Sequence, residues 1–363
     1  MAVASGKSFI AILERSGIVA PEELEPALET LDKNTIDQPA GLEQLKRYLV
    51  ESGLITEWQC KKLSAGKYKG FFLGKYKLLR HLGSGGMSTV YLAENKITGQ
   101  KRAIKVLPRK NVNDKSFLER FYREARAAAA LNHPNIVRVY DIAAIDKTHF
   151  MVMEYVEGID LYEMVKRDGP LPFEAALGHT RQAAIGLQHA HDRNLVHRDI
   201  KPANLLLSEG GTVKILDLGL ALLTAEDEES LTIMHNERVM GTADYLSPEQ
   251  AVNSHEVDQR TDIYSLGCTL YFLLTGQPPF PNGTLAQRIA MHQTKEPEAI
   301  VNIRQNCPAP IVQFCKRMMQ KKPEDRFPEA TIVISEIDSY LKDGEFPETG
   351  ALRGKFSVLL NLW

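Results

Sequence analysis

Over roughly the first 65 residues the apolar positions recur at the three-to-four spacing of amphipathic helices, and one stretch nearly repeats. Leu13-Glu-Arg-Ser-Gly-Ile-Val-Ala-Pro-Glu-Glu-Leu24 returns as Leu49-Val-Glu-Ser-Gly-Leu-Ile-Thr-Glu-Trp-Gln-Cys60. In each copy a glycine, Gly17 or Gly53, suits the left-handed position that ends a helix, and Pro21 or Thr56 suits the start of the next. The pattern predicts two copies of one small helical unit, with the apolar pair after each glycine packing the turn. Residues 31–41, rich in Asp, Asn, Pro and Gly, read as a loop, and the glycine- and lysine-rich residues 67–75 read as a linker.

From Tyr76 the rhythm changes to the alternation of strands, as in Tyr76-Lys-Leu-Leu-Arg80 and Lys101-Arg-Ala-Ile-Lys-Val-Leu107. A helix is predicted over residues 114–131, and strand character returns over 136–155. After about Gly158 the chain turns mostly helical, and residues 261–275 read as a buried helix. A small β-rich lobe followed by a larger helical lobe is therefore expected, with a ligand in the cleft between them.

With 363 residues the chain exceeds what one core usually supports, in keeping with several folding units. A net charge of −2 argues against a protein whose main task is to coat nucleic acid or an anionic membrane, so any anion must be met locally. Cys60, Cys268, Cys307 and Cys315 form no CxxC pair and read as reduced thiols of a cytoplasmic protein. No run approaches the roughly 20 apolar residues of a transmembrane helix, and the apolar residues 356–363 read as a docking tail.

Chemistry enters with Leu82-Gly83-Ser84-Gly85-Gly86-Met87-Ser88-Thr89-Val90, which lies between two predicted strands. Glycines in such a hairpin let backbone N–H groups close over phosphates with no Cβ in the way. The next strand carries Ala103-Ile-Lys105, whose lysine can reach phosphates if an acid holds it, and Glu124 on the following helix is the candidate acid. The densest signal is His197-Arg-Asp-Ile-Lys-Pro-Ala-Asn204, followed by Asp217-Leu-Gly219.

These segments, in this order, resemble the eukaryotic-type (Hanks-type) serine/threonine protein kinases, bacterial members included, over residues 76 to about 342. The resemblance implies an α+β, bilobal protein kinase fold preceded by a small helical module. Its boundaries would be a module at 1–66, a linker at 67–75, a kinase domain at 76–342 (lobes 76–156 and 157–342) and a tail at 343–363. It implies ATP as phosphoryl donor, with Asp199 accepting the substrate hydroxyl proton, Lys201 at the γ-phosphate, and Asn204 and Asp217 holding Mg²⁺, or alternatively Mn²⁺. Lys201 also disfavours a tyrosine-specific enzyme. Met153 would back the nucleotide pocket, Glu154 to Val156 would form the hinge, and Asp160 would meet the ribose.

Gly241-Thr-Ala-Asp-Tyr-Leu-Ser-Pro-Glu249 resembles the end of the activation segment, with Thr242 near Asp199 and Lys201. Asp262 resembles the aspartate that fixes the catalytic-loop backbone, and Arg326 the buried partner of Glu249. Two departures from the family pattern, Ser88 for the third glycine and Leu218 for phenylalanine, remove no catalytic group. Because Arg198 precedes the catalytic aspartate, autophosphorylation within residues 224–242 is expected, Thr232 and Ser230 leading, with the acids Glu226 to Glu229 as a partial substitute.

Protein substrates are implied, with a regulatory partner at the N-terminal module and a homodimer as open expectations. A pseudokinase or scaffold is the contrasting reading. It would be favoured by loss of Lys105, Asp199, Asn204 or Asp217, and all four are present.

Overall fold

The structure is a computed structural model and describes residues 5–29, 38–85, 88–107, 115–217, 243–252 and 257–346. The chain divides into two compact units, residues 1–118 with 139–155, and residues 119–138 with 156–363. The division at 155/156 falls within the stretch expected as the hinge.

The first unit opens with four helices. Helix α1 (Gly6–Ser16) is capped by the Ser5 hydroxyl, which accepts from Ser8 N, and ends at Gly17 with φ 65°. Helix α2 (Pro21–Glu29) follows. Helix α3 (Pro39–Glu51) begins inside the stretch read as a loop, because Pro39 sits where its missing N–H costs nothing. Residues 31–37 of that stretch lie outside the described residues. After Gly53, with φ 74°, Thr56 caps α4 (Glu57–Ser64) through a reciprocal capping box with Gln59. Phe9, Leu13, Ile18, Leu45, Leu49, Ile55 and Leu63 form the module's core, and Phe71 belongs to it.

Residues 67–75 are more structured than their composition predicts. Phe71 is buried, and β1 (Phe72–Leu73) pairs with the following strand. The apolar triplet Phe71-Phe-Leu73 has cores to join, and Gly70 and Gly74, both at positive φ, make the bends on either side.

Strands β2 (Tyr76–Gly85), β3 (Ser88–Asn95), β4 (Lys101–Val106), β5 (Val139–Ile145) and β6 (Thr148–Glu154) complete a six-stranded antiparallel sheet. Its order is β1-β2-β3-β4-β6-β5. Register sets Val90 opposite Lys105 and Ala103 opposite Met153, so these four side chains share one face. The other face buries Tyr76, Leu78, Ala93, Ile104, Phe150 and Val152, with Trp58 of α4 packed on them.

Helix α5 (Lys115–Ala129) lies mostly in the second unit, with Phe121 and Ala125 buried. That unit carries a small antiparallel sheet of β7 (Gly158–Asp160), β8 (Leu205–Ser208) and β9 (Val213–Ile215). Its helices are α6 (Leu161–Asp168), α7 (Phe173–His191), α8 (Arg260–Thr275), α9 (Leu285–Thr294), α10 (Ile300–Ile303), α11 (Ala309–Met318) and α12 (Ala330–Asp343).

Helix α8 is buried at every position from Thr261 to Thr275, as its largely apolar sequence predicts, and α7 and α11 pack on it. At Gly267 an added Cβ would sit 2.7 Å from the Met318 Cβ, so glycine is what allows α11 to approach so closely. Among the described residues no helix is long and apolar enough to cross a membrane.

Candidate active site

In the second unit the chain leaves α7, runs through residues 192–201, and makes a 3-10 turn at Pro202–Asn204 before entering β8. The loop's backbone is held from below by Asp262 on the buried helix α8. Its Oδ1 accepts from Arg198 N at 2.7 Å, and its Oδ2 accepts from His197 N at 2.8 Å and from His191 Nε2 at 2.8 Å. Burial works to raise the Asp262 pKa, but the hydrogen bond from His191 and the backbone N–H of His197 hold it below the ordinary value. The carboxylate therefore stays ionised in a buried place because both of its oxygens accept hydrogen bonds, three in all.

His197 is fully buried and works from both ring nitrogens. Nδ1 accepts from Asp199 N at 3.2 Å and Nε2 donates to Leu216 O at 2.8 Å, which assigns the Nε2–H tautomer. On the other side of Leu216, its N–H donates to Asn204 O at 2.9 Å. The backbone just before Asp217 is thus tied to the loop twice. Arg198 at φ 68° and Asp217 at φ 56° are both left-handed, a conformation that costs a non-glycine residue about 1–3 kcal/mol and persists only where surrounding bonds over-determine it.

The side chains these bonds present form one cluster. Lys201 Nζ donates to both Asp199 oxygens at 2.9 Å, and Asn204 Nδ2 donates to Asp199 Oδ2 at 2.9 Å and to Asp199 O at 2.8 Å. Asp199 remains the most open member, its side chain 24% exposed against 8% for Lys201. A carboxylate held in place by neighbours and still reachable is suited to orient a hydroxyl and take its proton.

The donor set also suits a hard divalent cation. With the Asn204 amide nitrogen committed to Asp199, its carbonyl oxygen is the atom it has to offer, and Asp217 follows the tethered Leu216. Mg²⁺ is commonly bound by one or two such oxygens, the rest coming from phosphates and water. Among the described residues no three His, Cys, Asp or Glu side chains gather as a self-sufficient metal cage.

In the first unit the β2–β3 hairpin pairs Gly83 with Val90, Ser84 with Thr89 and Gly85 with Ser88. Gly86 and Met87 lie outside the described residues, and Leu82 is exposed. Lys105 is 4% exposed on the sheet face it shares with Val90, Ala103 and Met153. A lysine is buried this deeply only where its ammonium has partners.

Glu124 stands on α5, but its side chain is outside what the structure describes, as are Thr242, Leu218 and residues 224–242. Glu154 ends β6, and Val156 opens the longer segment of the second unit. Asp160 caps α6, its Oδ1 accepting from Glu163 N at 2.9 Å, and burial raises its pKa.

The scaffold below is equally specific. Arg326 is buried and forks onto Glu249 at 2.7 and 2.8 Å, while its remaining donors reach the carbonyls of Gln320, Arg260 and Lys321. Thr261 adds a bond to Glu249 at 2.7 Å. Sequence reasoning missed His191, Gln250, whose amide donates to Arg198 O at 2.8 Å, and the Arg288 to Asp244 ion pair. No spacing signal marks these residues. Their partners come from distant parts of the chain.

Comparison with known proteins shows the family of the chain. Residues 76–336 match the protein kinase domain family. The chain is 40% identical over 265 residues to the serine/threonine-protein kinase PrkC of Bacillus subtilis, covering 73% of this chain and 40% of that protein. It is 38% identical over 278 residues to the serine/threonine-protein kinase PknB of Mycobacterium tuberculosis, covering 76% and 44%. The match thus spans about two fifths of those relatives' lengths. Among solved structures, the Mycobacterium tuberculosis PknI kinase domain superposes with a TM-score of 0.58 at 28% identity, covering 74% of this chain and 98% of that one.

Proposed function

Because the chain belongs to the protein kinase domain family, we propose that it transfers the γ-phosphoryl group of ATP to serine and threonine hydroxyls of proteins. The observation that carries this reading is the Asp199, Lys201 and Asn204 cluster, fixed from beneath by Asp262. Phosphoryl transfer asks a protein for positioning and charge stabilisation more than for covalent chemistry. Asp199 orients the acceptor hydroxyl and takes its proton as the oxygen attacks phosphorus. Lys201, held against Asp199, balances charge on the transferred group. Lys105 holds the α and β phosphates, Glu124 is the acid the family pattern assigns to it, and the hairpin from Leu82 to Val90 covers the phosphates.

Asn204 and Asp217 are the residues that would hold a divalent cation, which when bound neutralises charge on the β and γ phosphates. We assign Mg²⁺ to that position, since both ligands are hard oxygens and phosphates would supply the rest. Arg198 supports a further step, autophosphorylation at Thr232 or Ser230. Among the described residues its Nη1 is buried with no hydrogen-bond partner, and burial lowers its pKa, so a phosphate would supply an acceptor. The thiol-only cysteines support a cytoplasmic setting, and the helical module is read as regulatory.

The test is incubation of the full chain and a generic basic protein with labelled ATP, with Mg²⁺ or Mn²⁺, followed by phosphoamino-acid analysis. Phosphoserine and phosphothreonine, formed faster with Mg²⁺, are expected. Phosphotyrosine alone, or no transfer with either metal, overturns the reading.

A further inference from the structure

The helical module meets the glycine hairpin through contacts that phosphoryl transfer itself does not use. Beyond its pairing with β1 at Tyr76 and Lys77, β2 has no further strand on that side among the described residues, and a bulge between Leu78 and Arg80 interrupts its ladder with β3. Helix α4 meets the carbonyls at this point. The Gln59 amide donates to Leu78 O at 2.7 Å, and the Thr56 hydroxyl donates to Leu79 O.

The same two side chains build the capping box of α4. The Gln59 carbonyl oxygen accepts from Thr56 N at 2.9 Å, and Thr56 Oγ1 accepts from Gln59 N at 3.2 Å. Gln59 is 0% exposed, so its amide has no water to fall back on and is satisfied only in this one register of α4 on β2.

Trp58, between them, packs against both the module core and the sheet core. Its ring meets Tyr91 on β3 at 5.7 Å, and Tyr91 meets its cross-strand partner His81 at 5.7 Å. His81 Nε2 lies 2.9 Å from Ser84 Oγ, within the hairpin. The contacts therefore run without a gap from α4 through Trp58, Tyr91 and His81 to Ser84 and its glycine neighbours. A glycine hairpin is conformationally free, and that freedom opposes binding unless something restrains it beforehand.

We propose that α4 is a built-in clamp on the nucleotide hairpin, with Thr56, Trp58 and Gln59 as positioning residues for ATP binding that act through β2 and β3. The inference rests on the kinase reading, in which the hairpin covers the ATP phosphates. It gives the module a defined output: whatever loosens α4 weakens nucleotide binding before it touches the phosphoryl-transfer step.

The test measures ATP affinity by calorimetry, and steady-state kinetics, on the full chain carrying Trp58→Ala, Trp58→Phe, His81→Ala or both alanine changes, with thermal melting as the check on folding. Trp58→Ala is expected to raise the ATP Kd and KM about three- to tenfold, with kcat and the protein-substrate KM held within about twofold. Trp58→Phe restores affinity. His81→Ala produces a similar rise, and the double variant adds less than the sum of the two.

Wild-type affinity in folded Trp58→Ala and in His81→Ala overturns the clamp, as does strict additivity. Should Trp58→Ala not fold, the exposed His81→Ala decides alone. A wild type that binds ATP yet transfers nothing defeats the transfer reading while the affinity shifts still judge the clamp. A wild type that binds no ATP overturns both.

Discussion

Replacing Asp262 by asparagine exchanges one oxygen for an NH₂ in the buried floor of the Asp199 loop and turns an acceptor into a donor. The carboxylate receives Arg198 N–H on one oxygen and His197 N–H with His191 Nε2 on the other. An asparagine offers one oxygen and one amide NH₂, so whichever way it sits, one backbone N–H faces a donor. An unsatisfied buried N–H costs about 1–3 kcal/mol, and the bonds that remain lose their charge assistance, so a total of about 2–4 kcal/mol of stability is expected to go.

The kinetic cost is more specific. Arg198 is held at φ 68° by these bonds, and the next residue is Asp199. Once released, the loop relaxes toward an ordinary conformation, and a displacement on the order of 1 Å at a reacting group costs roughly 100-fold in rate. Asp262→Asn is therefore expected to lower kcat for phosphoryl transfer about 100-fold while the ATP KM, set largely by the β-rich unit, stays within about threefold. Initial rates over a range of ATP, paired with urea unfolding, measure both. Wild-type kcat in a destabilised variant, or a loss confined to KM, would refute the view that Asp262 acts by holding the loop.

Arg326 is buried and forks onto the partly exposed Glu249, so Arg326→Lys, which lacks the fork, should cost about 1–3 kcal/mol, read as a lower midpoint of denaturation, whereas an unchanged midpoint would show the pair to be dispensable. Gly267→Ala places a Cβ 2.7 Å from that of Met318 and should destabilise by about 1–3 kcal/mol through overpacking, with a neutral result meaning that α8 and α11 can part. His292 is buried beneath Tyr264, whose hydroxyl lies 2.9 Å from its Nδ1, and burial, aided by the Lys321 charge, lowers its pKa to about 3.

The unfolded chain therefore binds a proton at this histidine below an ordinary pKa of about 6.5 that the folded chain refuses, and stability should fall as pH drops from there toward 3, by up to about 1.4 kcal/mol per pH unit. His292→Gln should flatten that slope in pH-dependent urea titrations. An equal slope in both proteins would assign the acid sensitivity elsewhere.

The loop around Asp199, the β2–β3 hairpin and the buried α8 were legible as structure because they dictate residue types over short distances. His197 to Asn204 and Asp217 are readable as strings, and the run from Cys268 to Leu274, apolar but for Thr269, is the mark of a buried helix. His191 was not legible, since a histidine near the end of a helix looks the same whether or not an aspartate far along the chain waits beneath it. Thr56 was read only as a helix start. Its second bond, to Leu79 O, depends on where β2 lies in space. Residues 67–75 misled through composition, since their lysines and glycines outweighed Phe71, which the module's core buries.

Asp199→Asn isolates the central claim. The asparagine keeps the size of the aspartate and an acceptor for Lys201 Nζ, but it cannot take a substrate proton. Transfer of labelled γ-phosphate to a generic basic protein, measured beside ATP affinity for both forms, should fall about 10²- to 10⁴-fold in the variant while ATP binding persists. A variant that transfers phosphate at the wild-type rate would contradict the assignment of Asp199 as the base.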